Sequence, residues 1–205
     1  MTSYGRHYAA RRVYMKTSFL TREELLAIGF ASVGENVFIS KNASFYSPEK
    51  ITIGDNVRID DFCILSGKIN LGSFIHISAY SGIYAAAGVS VGDFVAISIK
   101  TTIVSVTENL SGEYFACGPV VPEEFRGVRS SPVTLEKHSF LGAHSLMLPG
   151  TTLQEGSAMG AYSLWLKGKT EPWKIYAGIP AKVIKCRSEN VKLLEEEMRK
   201  KLNET

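Results

Sequence analysis

The chain has 205 residues, 45% of them hydrophobic and 21% charged, with a formal net charge of +3. That suits one globular domain with short extras, and no cluster of Lys and Arg marks a nucleic-acid surface. The first thirty residues lack the apolar core of a signal peptide, and no apolar run approaches the roughly eighteen residues of a membrane span, so a cytoplasmic protein is expected. Cys63, Cys117 and Cys186 are far apart, odd in number and without metal-ligand spacing, and read as free thiols, Cys63 in the core.

Residues 1–30 form an N-terminal segment. Tyr4, Tyr8, Arg11, Arg12 and Tyr14 keep to no period, but Thr21-Arg22-Glu23-Glu24 has the spacing of a capping box and opens a short helix. Leu25, Leu26 and Ile28 would pack that helix on the start of the next segment.

Residues 31–185 carry a repeat. Val33-Gly34-Glu35-Asn36-Val37, Ile53-Gly54-Asp55-Asn56-Val57, Leu71-Gly72-Ser73-Phe74-Ile75 and Val91-Gly92-Asp93-Phe94-Val95 look alike, and Leu135-Glu136-Lys137-His138-Ser139 resumes the pattern after a gap. Inside it runs a period of six: Ile53, Ile59, Leu65, Leu71, Ile77, Ile83, then after a two-residue insertion Val91, Ile97 and Ile103. The second block is Leu135, Leu141, Met147, Leu153, Met159 and Trp165. A second small or apolar residue comes four places later, as at Val57, Cys63, Ile69, Ile75, Ser81 and Ala87.

Six residues turn an α-helix by about 600°, leaving successive apolar groups about 240° apart, so no helix face collects them. A short strand and a corner every six residues does, three strands closing one triangular coil of an all-β parallel β-helix. Gly or an acidic residue beside the aliphatic position suits a corner, through positive φ or a side chain bonding the local backbone. At about 4.8 Å per coil, roughly six coils make a prism on the order of 30 Å long.

The excursion 107–131 breaks the period with Gly112, Gly118, Pro119, Pro122 and Gly127, and carries Tyr114, Phe115, Phe125, Arg126 and Arg129. A loop that long inside a compact domain is usually functional; an arm to a neighbour, or a cover over a cleft, fits its aromatics. Residues 186–205 end the chain, with an amphipathic helix predicted from Ser188 to Leu202 that places Val191, Leu194 and Met198 on one face.

The stretch from Val89 to Lys185 resembles the hexapeptide-repeat acyltransferases, in particular galactoside and maltose O-acetyltransferases and sugar acetyltransferases of polysaccharide pathways. The matching pieces are Phe140-Leu141-Gly142-Ala143, Leu148-Pro149-Gly150-Thr151-Thr152-Leu153, Met159-Gly160-Ala161 and Ile175-Tyr176-Ala177-Gly178-Ile179-Pro180-Ala181-Lys182-Val183-Ile184. The resemblance implies a left-handed coil, a homotrimer with sites between adjacent prisms, acetyl-CoA as co-substrate, a sugar acceptor and no metal. It also implies that Ala143 and Ala161 meet the pantetheine arm, and that Lys167 and Lys182 face the CoA phosphates, with Lys185 and Arg187 as helpers.

Relatives that acetylate sugar hydroxyls place a His just before the loop; here Glu108 stands in that place. A hydroxyl nucleophile needs a base, and a carboxylate with a reference pKa of about 4.3 is a weaker one than imidazole at about 6.5. Among the histidines, His138 and His144 fall at corners and read as structural, while His7 lies in the N-terminal segment. His76 precedes inward Ile77 and so points outward, in one column with Arg58 and close to Asp60 and Asp61. His76 and Glu108 are therefore the catalytic candidates. A metal enzyme would need three converging ligands, which this spacing does not supply. The leading expectation is O-acetylation of a sugar hydroxyl, with N-acetylation of an amino sugar as the alternative and a non-catalytic trimer as the second alternative.

Overall fold

The computed structural model describes residues 18–203; Tyr4, His7, Tyr8, Arg11, Arg12 and Tyr14 lie outside it. Helix α1 (Arg22–Ala27) opens with the expected capping box: the Thr21 hydroxyl accepts from Glu24 N, and the Glu24 carboxylate accepts from Thr21 N. Leu25 buries that helix against the first coil, whereas Leu26 is exposed.

From Ser32 to Gly178 the chain winds through about seven turns of parallel strands, one more than the period suggests. The extra turn is the short C-terminal one, where Gly168–Lys169 and Lys174–Gly178 complete a triangle and Tyr176, stacked on Met159, is the inward residue. Three faces result. The first stacks Ser32–Val33, Ile51–Ile53, Val133–Leu135 and Thr151–Leu153. The second stacks Val57–Ile59, Ile75–Ile77, Ala96–Ile97, Phe140–Leu141 and Ala158–Met159. The third stacks Thr102–Val104, Leu146–Met147 and Leu164–Trp165. The long strands Ile64–Leu71 and Gly82–Val91 run from the third face onto the first and join the two into one sheet.

Inside is the ladder. Every six-period residue from Ile53 to Met159 is buried, and Trp165, where the prism tapers, is half-buried. Cys63 is fully buried, and desolvation pushes its thiol up to about 11. Ala87 departs from the expected position: the two-residue insertion is taken up as a bulge, Gly67 pairing with Ala85 and Ile69 with Val89, so buried Val89 fills the inward place.

The corners also differ from the expectation. None of Gly34, Gly54, Gly72 and Gly92 has positive φ; the left-handed residues come two places later, at Asn36, Asn56, Phe74, Phe94 and His138. The glycines instead permit close stacking. A Cβ on Gly54 would lie 2.5 Å from the Gly72 carbonyl oxygen, and one on Gly142 would lie 2.6 Å from Ala161 N. The acidic neighbours do bond backbone, but on the coil before: Asp55 Oδ1 accepts from Glu35 N (2.7 Å) and Asp93 Oδ1 from Ser73 N (2.8 Å).

The left-handed residues stack in columns. Phe74 lies on Phe94 at 4.7 Å and Phe94 on His138 at 5.2 Å; on the next corner His144 lies on Tyr162 at 4.6 Å. His138 is thereby structural. It is buried, and its Nε2 hydrogen-bonds Glu195 of helix α2 (Val191–Asn203) at 2.8 Å. Glu195 also accepts from Lys137 (2.9 Å) and Arg199 (2.7 Å). Burial alone would raise the Glu195 carboxyl, but hydrogen bonds from Lys137, Arg199 and His138 outweigh it and hold it at about 2.

This packing has two measurable outcomes. Gly54→Ala should destabilise the fold by about 1–3 kcal/mol, because the clash is with backbone; urea unfolding measures it against an outward control, Ser90→Ala. The Glu195 value is depressed in the folded state, so the stability it adds is complete above its ordinary value of 4.5 and is lost as pH falls toward about 2. Release of helix α2 should track that window in limited proteolysis, and Glu195→Gln should release it already at neutral pH.

Candidate active site

Three groups of predicted residues occupy three places on the prism. The first is the outward column of the second face. Arg58 and His76 are register partners there, and Ala96 comes next on the column. Strand alternation puts Ile59 and Ile77 inward and so forces Arg58 and His76 outward. Asp60, at the end of the same strand, bonds both: its Oδ2 lies 2.8 Å from His76 Nε2, and its Oδ1 accepts from Arg58 Nε at 2.7 Å. The Arg58 guanidinium lies 5.1 Å from the centre of the Phe19 ring. Burial pushes the Asp60 carboxyl up, but the His76 and Arg58 hydrogen bonds outweigh that and leave it below its ordinary value. A cavity of about 230 Å³ opens alongside, walled by Ser18, Phe19, Arg58, Asp60, Asp61 and Ala79. Asp61 is held by the hydroxyl of Ser40.

The second place is the root of the excursion. Val106–Thr107 pairs antiparallel with Arg129–Ser130, closing the loop at its base. Glu108 comes directly after, and Arg126 Nη2 donates to its Oε1 at 3.0 Å. The pair is half-buried and meets end-on. Glu108 Oε2 and Arg126 Nε are left buried with no hydrogen-bond partner among the described residues. Such groups are costly unless something supplies the missing bond. Glu108 borders a cavity of about 400 Å³ with Thr107, Asn109, Ser111, Arg129 and Leu148. Within the chain Glu108 and His76 stand on different parts of the prism. Arg126 carries no periodic signal that would have paired it with Glu108; only the closed loop brings them together.

The third place is the corner between the second and third faces. Ala143 and Ala161 sit there on successive coils, each next to a left-handed residue, His144 and Tyr162. The Ala143 carbonyl accepts from Tyr162 N at 2.8 Å, and among the described residues neither alanine N–H meets an acceptor. Lys182 pairs with Ala177, one coil beyond Ala161, and is exposed. Lys167 is also exposed but lies past the third face, in the turn closed by Trp165 Nε1 on the Gly168 carbonyl. Arg187 does not join this group. It donates to the carbonyls of His138 (2.7 Å) and Gly156 (2.8 Å), pinning the chain end to the opposite corner. No group of three or more His, Cys, Asp or Glu side chains arranged to hold a metal ion occurs among the described residues.

No protein-family model matches the chain. Whole-chain comparisons do find relatives. The chain is 44% identical over 181 residues to a dTDP-4-amino-4,6-dideoxy-D-glucose acyltransferase from Escherichia coli, covering 87% of this chain and 92% of that one. It is 28% identical over 166 residues to the putative lipopolysaccharide biosynthesis O-acetyl transferase WbbJ, also of Escherichia coli, covering 77% and 80%. Among solved structures it matches AntD, an N-acyltransferase from Bacillus cereus in complex with dTDP and 3-hydroxybutyryl-CoA, with TM-score 0.89 and 44% identity over 91% of this chain and 99% of that one. With the coil, the corner alanines and this extent of identity together, the chain belongs to the hexapeptide-repeat acyltransferase family.

Proposed function

We propose that this chain transfers an acyl group from an acyl-CoA to the amine of a dTDP-linked 4-amino-4,6-dideoxy sugar. The observation that carries the choice of amine is Glu108. Where an O-acetylating relative would place an imidazole, this chain presents a carboxylate that lines a cavity and whose buried Oε2 has no partner among the described residues. A carboxylate oxygen accepts well from an amine or ammonium. An amine is also already nucleophilic, so a strong base matters less than for a hydroxyl. The E. coli relative is named as an acyltransferase of this amino sugar and AntD as an N-acyltransferase, each 44% identical to this chain. O-acetylation of a sugar hydroxyl is the second reading, supported by the more distant WbbJ.

In the reaction the amine nitrogen bonds the thioester carbonyl carbon, the C–S bond breaks and its electron pair leaves on sulfur. One amine proton must go to a base. His76, outward and half-exposed, is assigned that role. The N–H groups of Ala143 and Ala161 receive the pantetheine carbonyls, and Lys182 and Lys167 the CoA phosphates.

The surface supports a homotrimer. The outward residues of the first face are polar, as at Thr52, Asn70 and Ser90, whereas the third face presents Tyr84, Val104, Leu146, Leu148 and Leu164. An apolar sheet face of this kind calls for a covering partner. Closed threefold packing supplies one and lets Glu108 and His76 of neighbouring subunits share a cleft. The free thiols of Cys63, Cys117 and Cys186 suit the cytoplasm, where acyl-CoA is available.

The test is thiol release from acetyl-CoA and longer acyl-CoAs with dTDP-4-amino-4,6-dideoxyglucose, against the 4-hydroxy sugar. Turnover with the amine and not the hydroxyl is expected; the reverse preference would establish the second reading. Glu108→Gln should raise the acceptor KM roughly 10–100-fold, the range for losing a hydrogen bond to a charged group. Lys182→Ala should raise the acyl-CoA KM with kcat little changed, because phosphate contacts bind ground and transition states alike. Light scattering should give a trimer, and a monomer at micromolar concentration would exclude the shared cleft.

A further inference from the structure

The Arg58–Asp60–His76 cluster is more ordered than a chance surface ion pair. All three side chains sit in the outward column of the second face or at its edge, and each is held. Arg58 is fixed between Asp60 and the Phe19 ring, and Asp60 bonds a different neighbour with each oxygen. The Asp60 side chain is 18% exposed while His76 is 46% exposed. The carboxylate is therefore covered and the ring it bonds is open to a ligand. The neighbour beyond His76 on the column is Ala96, whose side chain is too short to cover the ring.

We propose that Asp60 is a positioning residue for His76. It fixes the ring in the tautomer that carries its proton on Nε2, so that Nδ1 is the atom that takes the proton from the acceptor. Arg58 holds Asp60 in place for this task. The inference rests on the reading of His76 as proton acceptor and goes beyond it by naming the atom and the group that prepares it.

The chemistry fixes the tautomer. An ionised carboxylate only accepts hydrogen bonds, so the 2.8 Å contact requires the proton on Nε2, and the neutral ring then has its lone pair on Nδ1. The hydrogen bonds from His76 and Arg58 keep Asp60 ionised against the cost of its burial. As the amine nitrogen bonds the thioester carbon, its N–H proton passes to Nδ1 and the C–S electrons stay on the departing sulfur. The ring becomes an imidazolium, and the negative Asp60 facing Nε2 stabilises it. The proton then leaves to solvent, and the thiolate takes one from solvent. The charged groups around the ring are Asp60 and Arg58, with Asp61 on the wall of the cavity beside those two.

The test combines kinetics and NMR. In wild-type protein, ¹⁵N shifts of the neutral His76 ring should report a protonated Nε2 and an unprotonated Nδ1. Asp60→Asn should lower kcat about 10²-fold, at the low end of what general base catalysis supplies. It should also shift the acidic limb of the kcat–pH profile, with the acyl-CoA KM unchanged, and Asp60→Glu should restore part of the rate. The double variant with His76→Ala should be no slower than His76→Ala alone, because both changes remove one function. Four results would overturn the proposal: a proton on Nδ1 in the wild type; Asp60→Asn with wild-type kcat and pH profile while His76→Ala is slow; no rescue by Asp60→Glu; or losses that multiply in the double variant. Full kcat in His76→Ala would remove the assignment of His76 as base and this inference with it. Should Asp60→Asn not fold, the wild-type ¹⁵N measurement still decides.

Discussion

The distance between coils governs this molecule. Parallel strands bond at about 4.8 Å, and every residue of one coil must have a partner of compatible size directly above and below it. That single spacing explains why inward positions are filled by Ile, Leu, Val and Met, why Gly34, Gly54 and Gly72 stand where backbone passes over backbone, and why flat rings pile on the corners. It also explains the polar ladders. An aspartate one coil on reaches back to a backbone N–H that the turn leaves without a partner, as Asp55 does for Glu35.

The same regularity governs what can be read without coordinates. The ladder from Ile53 to Met159 is legible because one physical rule is applied again and again, and the outward column of Arg58 and His76 is legible because alternation fixes it. Asp60 is legible as a neighbour, though not as the group that bonds both. The corners are harder: sequence shows a glycine and suggests positive φ, while the turn takes its left-handed residue two places on, at a Phe, Asn or His. The pairing of Glu108 with Arg126 leaves no trace in any period, since an irregular loop closes it. Arg187 likewise reads as a basic residue beside others, and only the folded chain end shows it spent on two backbone carbonyls.

A prism of flat faces has little concavity of its own, and the groups proposed to carry chemistry lie on an outward column, at a corner and at the loop root. His76 stands in the outward column of one sheet with Asp60 at the end of the neighbouring strand, Ala143 and Ala161 sit at a corner, and Glu108 at the base of the excursion. The coil fixes the first two groups, while Glu108 is held by Arg126 of the excursion itself. Helix α2 adds rigidity at the far corner, where Glu195 ties His138 and Lys137.

The excursion leaves the prism after the third face and returns to the first, and the coils on either side meet as though nothing intervened. Ser90 pairs with Thr134 and Ala96 with Phe140 in unbroken register. Loop closure entropy grows only slowly with length. The scaffold is therefore indifferent to what the loop contains, and Glu108 is the first residue beyond the strand that roots it. In evolutionary terms the two parts are separable. A lineage can lengthen, shorten or replace the excursion while the coil on either side of it is inherited unchanged.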